Sequence, residues 1–157
     1  MDLATRRNLI NRYKDGPREV RAVLEGITET ELDARPASDA WTAREVAHHL
    51  ADSEMTSAIR LRRLLAEDRP LIAGYDEQEF ARRLHYERPV EASLDALDAA
   101  RRSTAAILDR LTEDEWAREG THSESGRYTV EDWLAIYAAH AHDHAEQIRR
   151  ARTAGRR

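Results

Sequence analysis

His140 and His144 stand four residues apart, about one turn of an α-helix, so both imidazoles can reach a single point. Two imidazoles at that spacing on one helix can chelate one metal ion. His49, 91 positions before His140, borders the apolar face of a different helix-like segment. Three neutral imidazoles would leave a divalent ion its full charge and one open coordination position, where chemistry can happen. The competing account is three core histidines, each hydrogen-bonded to a backbone carbonyl. Spacing alone leaves both accounts open.

The apolar residues recur with a helical period, and strand signals are almost absent. Four main helices with short additions are expected. Residues 2–14 form a short helix ended by Asp15, Gly16 and Pro17, and a second segment runs over 17–26, the two joining as one kinked helix or standing apart. Residues 28–40 read as a loop with a helical turn at 28–32. Thr42 and Glu45 have capping-box spacing and open a long helix to about residue 66. Residues 71–75 are a connector, Asp76 caps a short helix to about 85, and Pro89 starts a long helix to about 111. Thr112 and Glu115 repeat the capping-box spacing on one turn. Residues 119–128 read as a polar loop with two glycines, and Thr129 caps the last long helix to about 152.

Helical spacing then sorts the seven histidines. Val46, Leu50, Ser53, Ser57, Leu61 and Leu64 fall in one stripe, with His49 about 60° from its centre. His48 is expected on the far face, towards solvent or a partner chain. Val130, Trp133, Leu134, Tyr137, Ala141 and Ile148 form the stripe of the last helix, which takes in His140 and His144 and leaves His142 opposite. His85 and His122 lie in or near loops.

The 157 residues suit one domain with a substantial core, burying roughly 70% of the unfolded surface. A formal net charge of −5 excludes a nucleic-acid footprint over the whole chain. Arg149, Arg150, Arg152, Arg156 and Arg157 make a short basic run, either an anion contact or the cationic end of a fraying helix. Cysteine is absent, so any thiol chemistry needs a small-molecule thiol. The polar first residues and the lack of a long apolar run give the expectation of a cytoplasmic protein with no membrane span and no signal peptide.

The run Trp41-Thr42-Ala43-Arg44-Glu45-Val46-Ala47-His48-His49-Leu50-Ala51-Asp52-Ser53-Glu54 resembles the first metal-binding helix of the DinB/YfiT-like family. Residues 123–132, followed by His140-Ala141-His142-Asp143-His144, resemble its last. Tyr75-Asp76 and Arg88-Pro89-Val90 are similar to the YfiT branch, which includes bacillithiol S-transferases. The resemblance spans about residues 17–152. It implies an all-α fold, a four-helix bundle of up-down-down-up topology, in a single domain over 1–157 with 1–15 as an N-terminal extension and 153–157 as a frayed basic tail. It implies a divalent metal, zinc favoured with nickel or another ion possible, on His49, His140 and His144. His49 stands eight residues after Trp41, as the family pattern requires. A homodimer acting on a small molecule is also implied, with no nucleic-acid or membrane partner.

Two reactions follow from such a centre. One is transfer of a low-molecular-weight thiol, bacillithiol-like, to an electrophile. The other is hydrolysis by hydroxide at the metal, which needs a nearby proton acceptor. A non-catalytic metal-binding bundle is the third account. Asp52 and Asp143 are the carboxylate candidates, as proton acceptors or as partners of a ligand imidazole, against a solvated helix face or an ion pair. Trp41, Tyr75, Trp133 and Tyr137 either line a substrate pocket or pack the core. Arg44 or Arg60 either receives a substrate carboxylate or solvates a helix.

Overall fold

The computed structural model describes residues 1–155. Along it run α1 (Leu3–Leu24), α2 (Glu29–Asp33), α3 (Ala43–Ala66), β1 (Leu71–Ile72), α4 (Glu77–Arg83), α5 (Glu91–Leu108), α6 (Glu113–Trp116), β2 (Glu119–His122), β3 (Gly126–Thr129) and α7 (Val130–Ala154). Every helix except α5 starts where a side chain satisfies a free amide of the first turn. Thr42 and Glu45 close a capping box on α3, and Thr112 and Glu115 close one on α6. Thr129 does the same for α7 with Asp132, and Thr28 for α2 with Glu31.

α1, α3, α5 and α7 form the bundle, and the ties between them fix its sense. Arg6 bonds Glu131 and Arg152 bonds the carbonyl of Val23, so α1 and α7 are parallel. His48 meets Ser93 and Arg62 meets Ser103, so α3 and α5 are parallel too. Lys14 pairs with Asp109 and Arg21 with Asp95, which sets α1 antiparallel to α5. His49 packs on His144 while Trp133 donates to the carbonyl of Ser57, which sets α3 antiparallel to α7. The result is up-down-down-up. Because α3 and α5 run the same way, residues 67–90 must return along the bundle before α5 can begin.

The core has two apolar clusters. Val20, Val46, Leu50, Leu97 and Ile148 belong to one; Leu61, Leu64, Leu108, Trp133 and Leu134 belong to the other. Between them on α3 and α5 lie Glu54 and Arg101, each 1% exposed and joined by a 2.7 Å ion pair. The local backbone explains the guanidinium. Pro17 sits inside α1 and has no N–H to offer the carbonyl of Tyr13. Arg101 Nη1 donates to that carbonyl at 2.6 Å and Nη2 donates to the carbonyl of Tyr137 at 2.9 Å. The Tyr13 hydroxyl donates to the other oxygen of Glu54. Gly16 is required here, since a Cβ would stand 2.3 Å from Arg101 Nη1 and 2.7 Å from the Ala141 side chain.

Two expectations need correction, and one open alternative is decided. Residues 3–15 are not an extension but the first half of α1, with Tyr13 fully buried. α1 runs through Pro17 as one helix because Arg101 replaces the lost hydrogen bond. Residues 119–128 are no plain loop: β2 and β3 pair antiparallel, and β1, in the expected connector, adds parallel to β2. These strands are two to four residues long and mostly polar, too short to show an alternating pattern. Gly126 takes φ +79° at the hairpin, a conformation glycine adopts freely. At the C-terminus Thr153 and Ala154 continue α7, and Arg156 and Arg157 of the expected tail lie outside the described residues. Among the described residues no helix is long and apolar enough to cross a membrane.

Candidate metal centre

α3 and α7 bring His49, His140 and His144 together, with one ligand-capable atom from each inside 4.8 Å of the others. Their ring centroids lie 5.4 Å (His49–His140), 4.8 Å (His49–His144) and 4.4 Å (His140–His144) apart. The two Nε2 atoms of His140 and His144 are 3.2 Å apart. Two nitrogens bound to one zinc at a tetrahedral angle would be separated by about 3.3 Å, so the pair is spaced as ligands are.

The remaining ring atoms also fit a cation. Gln147 Oε1 accepts from His144 Nδ1 at 2.7 Å. A carbonyl oxygen can only accept, so that contact places the proton on Nδ1 and leaves the Nε2 lone pair free. His49 Nδ1 is buried without a hydrogen-bond partner. The indole of Trp41 packs edge-on against the His49 ring at 4.9 Å.

Burial first, then the neighbouring imidazoles, push His140 down to about 2, with Arg101 adding to the effect. Burial and His144 take His49 down to about 3. His144 is lowered by burial, opposed by Gln147 and Asp143. All three are neutral at pH 7, the state in which imidazole ligates a metal.

His48, expected to look outward, is fully buried. Its Nε2 lies 2.9 Å from the carbonyl of Arg88 and its Nδ1 lies 2.8 Å from Ser93 Oγ. The carbonyl fixes the proton on Nε2, so Ser93 donates to Nδ1. The helical wheel failed for His48 because its far face is covered by residues 84–93, which the pattern of α3 alone cannot reveal. His142 lies opposite the centre as expected, with Nε2 2.9 Å from the carbonyl of Arg12.

Asp52 is buried and accepts from the Tyr86 hydroxyl at 2.7 Å, and Asp143 is exposed. Neither hydrogen-bonds to the three imidazoles. Arg44 is committed to Asp33 and Glu29. Arg60 donates to the Tyr137 hydroxyl at 3.0 Å, and Tyr137 packs against His140 at 5.8 Å. Trp133 is core. Trp41 also lines an adjoining cleft of about 610 Å³ with Gln78 and Arg82. Gln147 was missed in the sequence, though its place three residues after His144 was a readable signal.

Residues 12–148 match the model of the DinB superfamily. A protein of Oceanobacillus iheyensis named "Putative metal-dependent hydrolase" is 35% identical over 139 residues, covering 88% of this chain and 81% of the relative. One of the same name from Halalkalibacterium halodurans is 28% identical over 135 residues, covering 86% and 79%. Among solved structures, YfiT from Bacillus subtilis superposes with a TM-score of 0.89 at 29% identity, covering 94% of this chain and 86% of that one. It is described as "a probable metal-dependent hydrolase with an unusual four-helix bundle topology".

Proposed function

The chain belongs to the DinB superfamily, and from that premise we propose that it is a metal-dependent enzyme whose His49, His140 and His144 hold a divalent cation, zinc in the first instance. A divalent cation on three neutral imidazoles acts as a Lewis acid and lowers the pKa of a thiol or water at its open position. The chain's own residues do the rest. Gln147 holds the His144 ring in the ligating tautomer. Trp41 packs against one side of His49, and Tyr137 against His140.

The nucleophile we assign is a low-molecular-weight thiol, transferred to an electrophile. The observation that carries this is the occupation of the nearby carboxylates: Asp52 accepts from Tyr86, and Asp143 faces solvent. Activating water calls for a positioned proton acceptor, whereas a thiol on a divalent ion is deprotonated outright. Hydrolysis is the second reading, favoured by the names of the relatives. A homodimer acting in the cytoplasm belongs to the same proposal.

The zinc-loaded protein is to be incubated with an aryl halide electrophile, with and without bacillithiol, glutathione or mycothiol, and separately with a panel of esters and amides. Thiol-dependent conjugation that disappears in His140→Ala is the expected result. Ester or amide cleavage without thiol dependence would establish the hydrolytic reading instead. Metal analysis of the wild type showing a stoichiometry near zero for zinc, nickel and other divalent ions alike would remove both.

A further inference from the structure

One to three helical turns beyond His49 on α3, the wall of the centre changes character. Arg60 reaches α7 there and donates through Nη1 to the Tyr137 hydroxyl at 3.0 Å and through Nη2 to the carbonyl of Ala73 at 2.7 Å. Its Nε is buried and has no partner. Tyr75, from the connector after β1, lies under the same guanidinium, with 5.7 Å between the guanidinium carbon and the ring centroid. The Tyr75 hydroxyl is likewise buried and without a partner; Ser53 approaches it but no hydrogen bond forms. Burial keeps the phenol protonated, pushing it up to about 12. Glu77 feels the Arg60 charge, yet no carboxylate among the described residues is within ion-pair distance of Arg60.

Two unsatisfied donors therefore adjoin one positive charge, and the Tyr137 ring links them to His140 at 5.8 Å. Buried donors left unpaired are costly, and a half-buried guanidinium with no carboxylate on it attracts an anion. What would satisfy Nε–H, O–H and charge together is a planar oxyanion with two acceptor oxygens. We propose that Arg60 and Tyr75 form a carboxylate-recognition subsite beside the three-histidine centre, so that the substrate carries a carboxylate apart from the group that reacts at the metal. This rests on the reading of His49, His140 and His144 as a metal centre for its role in the reaction, but not for its own binding chemistry. Both donors are shielded from solvent, so entry requires the segment 73–76 to part from Arg60 by no more than the width of a carboxylate, which then bridges Arg60 Nε–H and the Tyr75 hydroxyl. That segment is neither helix nor strand.

The test is calorimetric titration with benzoate and with benzamide, its neutral counterpart, on zinc-loaded and metal-free protein. Wild type, Arg60→Gln and Tyr75→Phe are compared, and zinc affinity is titrated for each. Benzoate should bind both forms of the wild type, and benzamide on the order of tenfold more weakly or worse. Both variants should weaken benzoate by about tenfold with zinc affinity unchanged. Tyr75→Phe removes only an unpaired buried hydroxyl, so its Tm should not fall; this keeps the test sound if Arg60→Gln folds poorly. Benzoate affinity equal in wild type and Tyr75→Phe would overturn the subsite and leave an ordered water as the partner of the two donors. Benzoate binding that vanishes with the metal and ignores both substitutions would overturn it as well, by placing the carboxylate on the metal. Failure of the wild type to bind zinc would sink the metal reading, while benzoate titration of the metal-free protein would still decide the subsite.

Discussion

Neutral imidazoles packed against one another make the metal-free centre sensitive to acid. His49 and His140 have folded-state pKa values of about 3 and about 2, and His144 is also lowered, all beneath the unfolded value of about 6.5. The unfolded chain therefore binds more protons as pH falls. The stability that goes with the neutral rings is complete above pH ~6.5 and is lost progressively below it. In the presence of a chelator, Tm should drop between pH 7 and pH 5, and His140→Leu should flatten that drop. A Tm independent of pH over this range in both proteins would contradict the burial described for these rings. Protons compete with the cation for the same lone pairs, so zinc affinity should weaken over the same interval.

At the scale of the helices, the parallel contact of α1 with α7 depends on the polar layer between the two apolar clusters. Arg101→Met would leave Glu54 buried without its partner and the Tyr13 carbonyl without a donor, at a cost of about 3–5 kcal/mol. Adding Glu54→Leu removes the stranded charge, so the double variant should be more stable than Arg101→Met alone. Urea unfolding of the four proteins of this cycle measures both effects. The same elements show what a sequence can disclose. Thr42 with Glu45, Thr112 with Glu115 and Thr129 announced their helices because a cap is a local arrangement over four residues. The His140–His144 pair was legible for the same reason, and the period of α3 turned His49 towards the core, while the up-down-down-up order rested on resemblance. Pro17 left two readings open, because the donor that lets α1 continue comes from Arg101, 84 residues later. His48, the hairpin of β2 and β3, and the orphaned donors of Arg60 and Tyr75 were hidden in the same way, since each is defined by what packs on it from elsewhere.

For the molecule as a whole, the chain order decides which residues surround the centre. The parallel pair α3 and α5 obliges residues 67–90 to travel back along the outside of α3, whereas a simple up-and-down bundle would need only a short loop. That return segment supplies Tyr75 beside Arg60, Gln78 on the Trp41 indole, Tyr86 on Asp52 and the Arg88 carbonyl on His48. None of the three proposed metal ligands belongs to it. Replacing residues 73–86 with the corresponding stretch of a relative should therefore shift which electrophile is turned over while zinc affinity stays within about tenfold. A larger loss of zinc affinity would show that this stretch holds the ligands in place. If the transplant behaves as expected, the return segment is an exchangeable cassette: lineages can diversify what they accept by rewriting it, while the ligand-bearing faces of α3 and α7 are inherited intact.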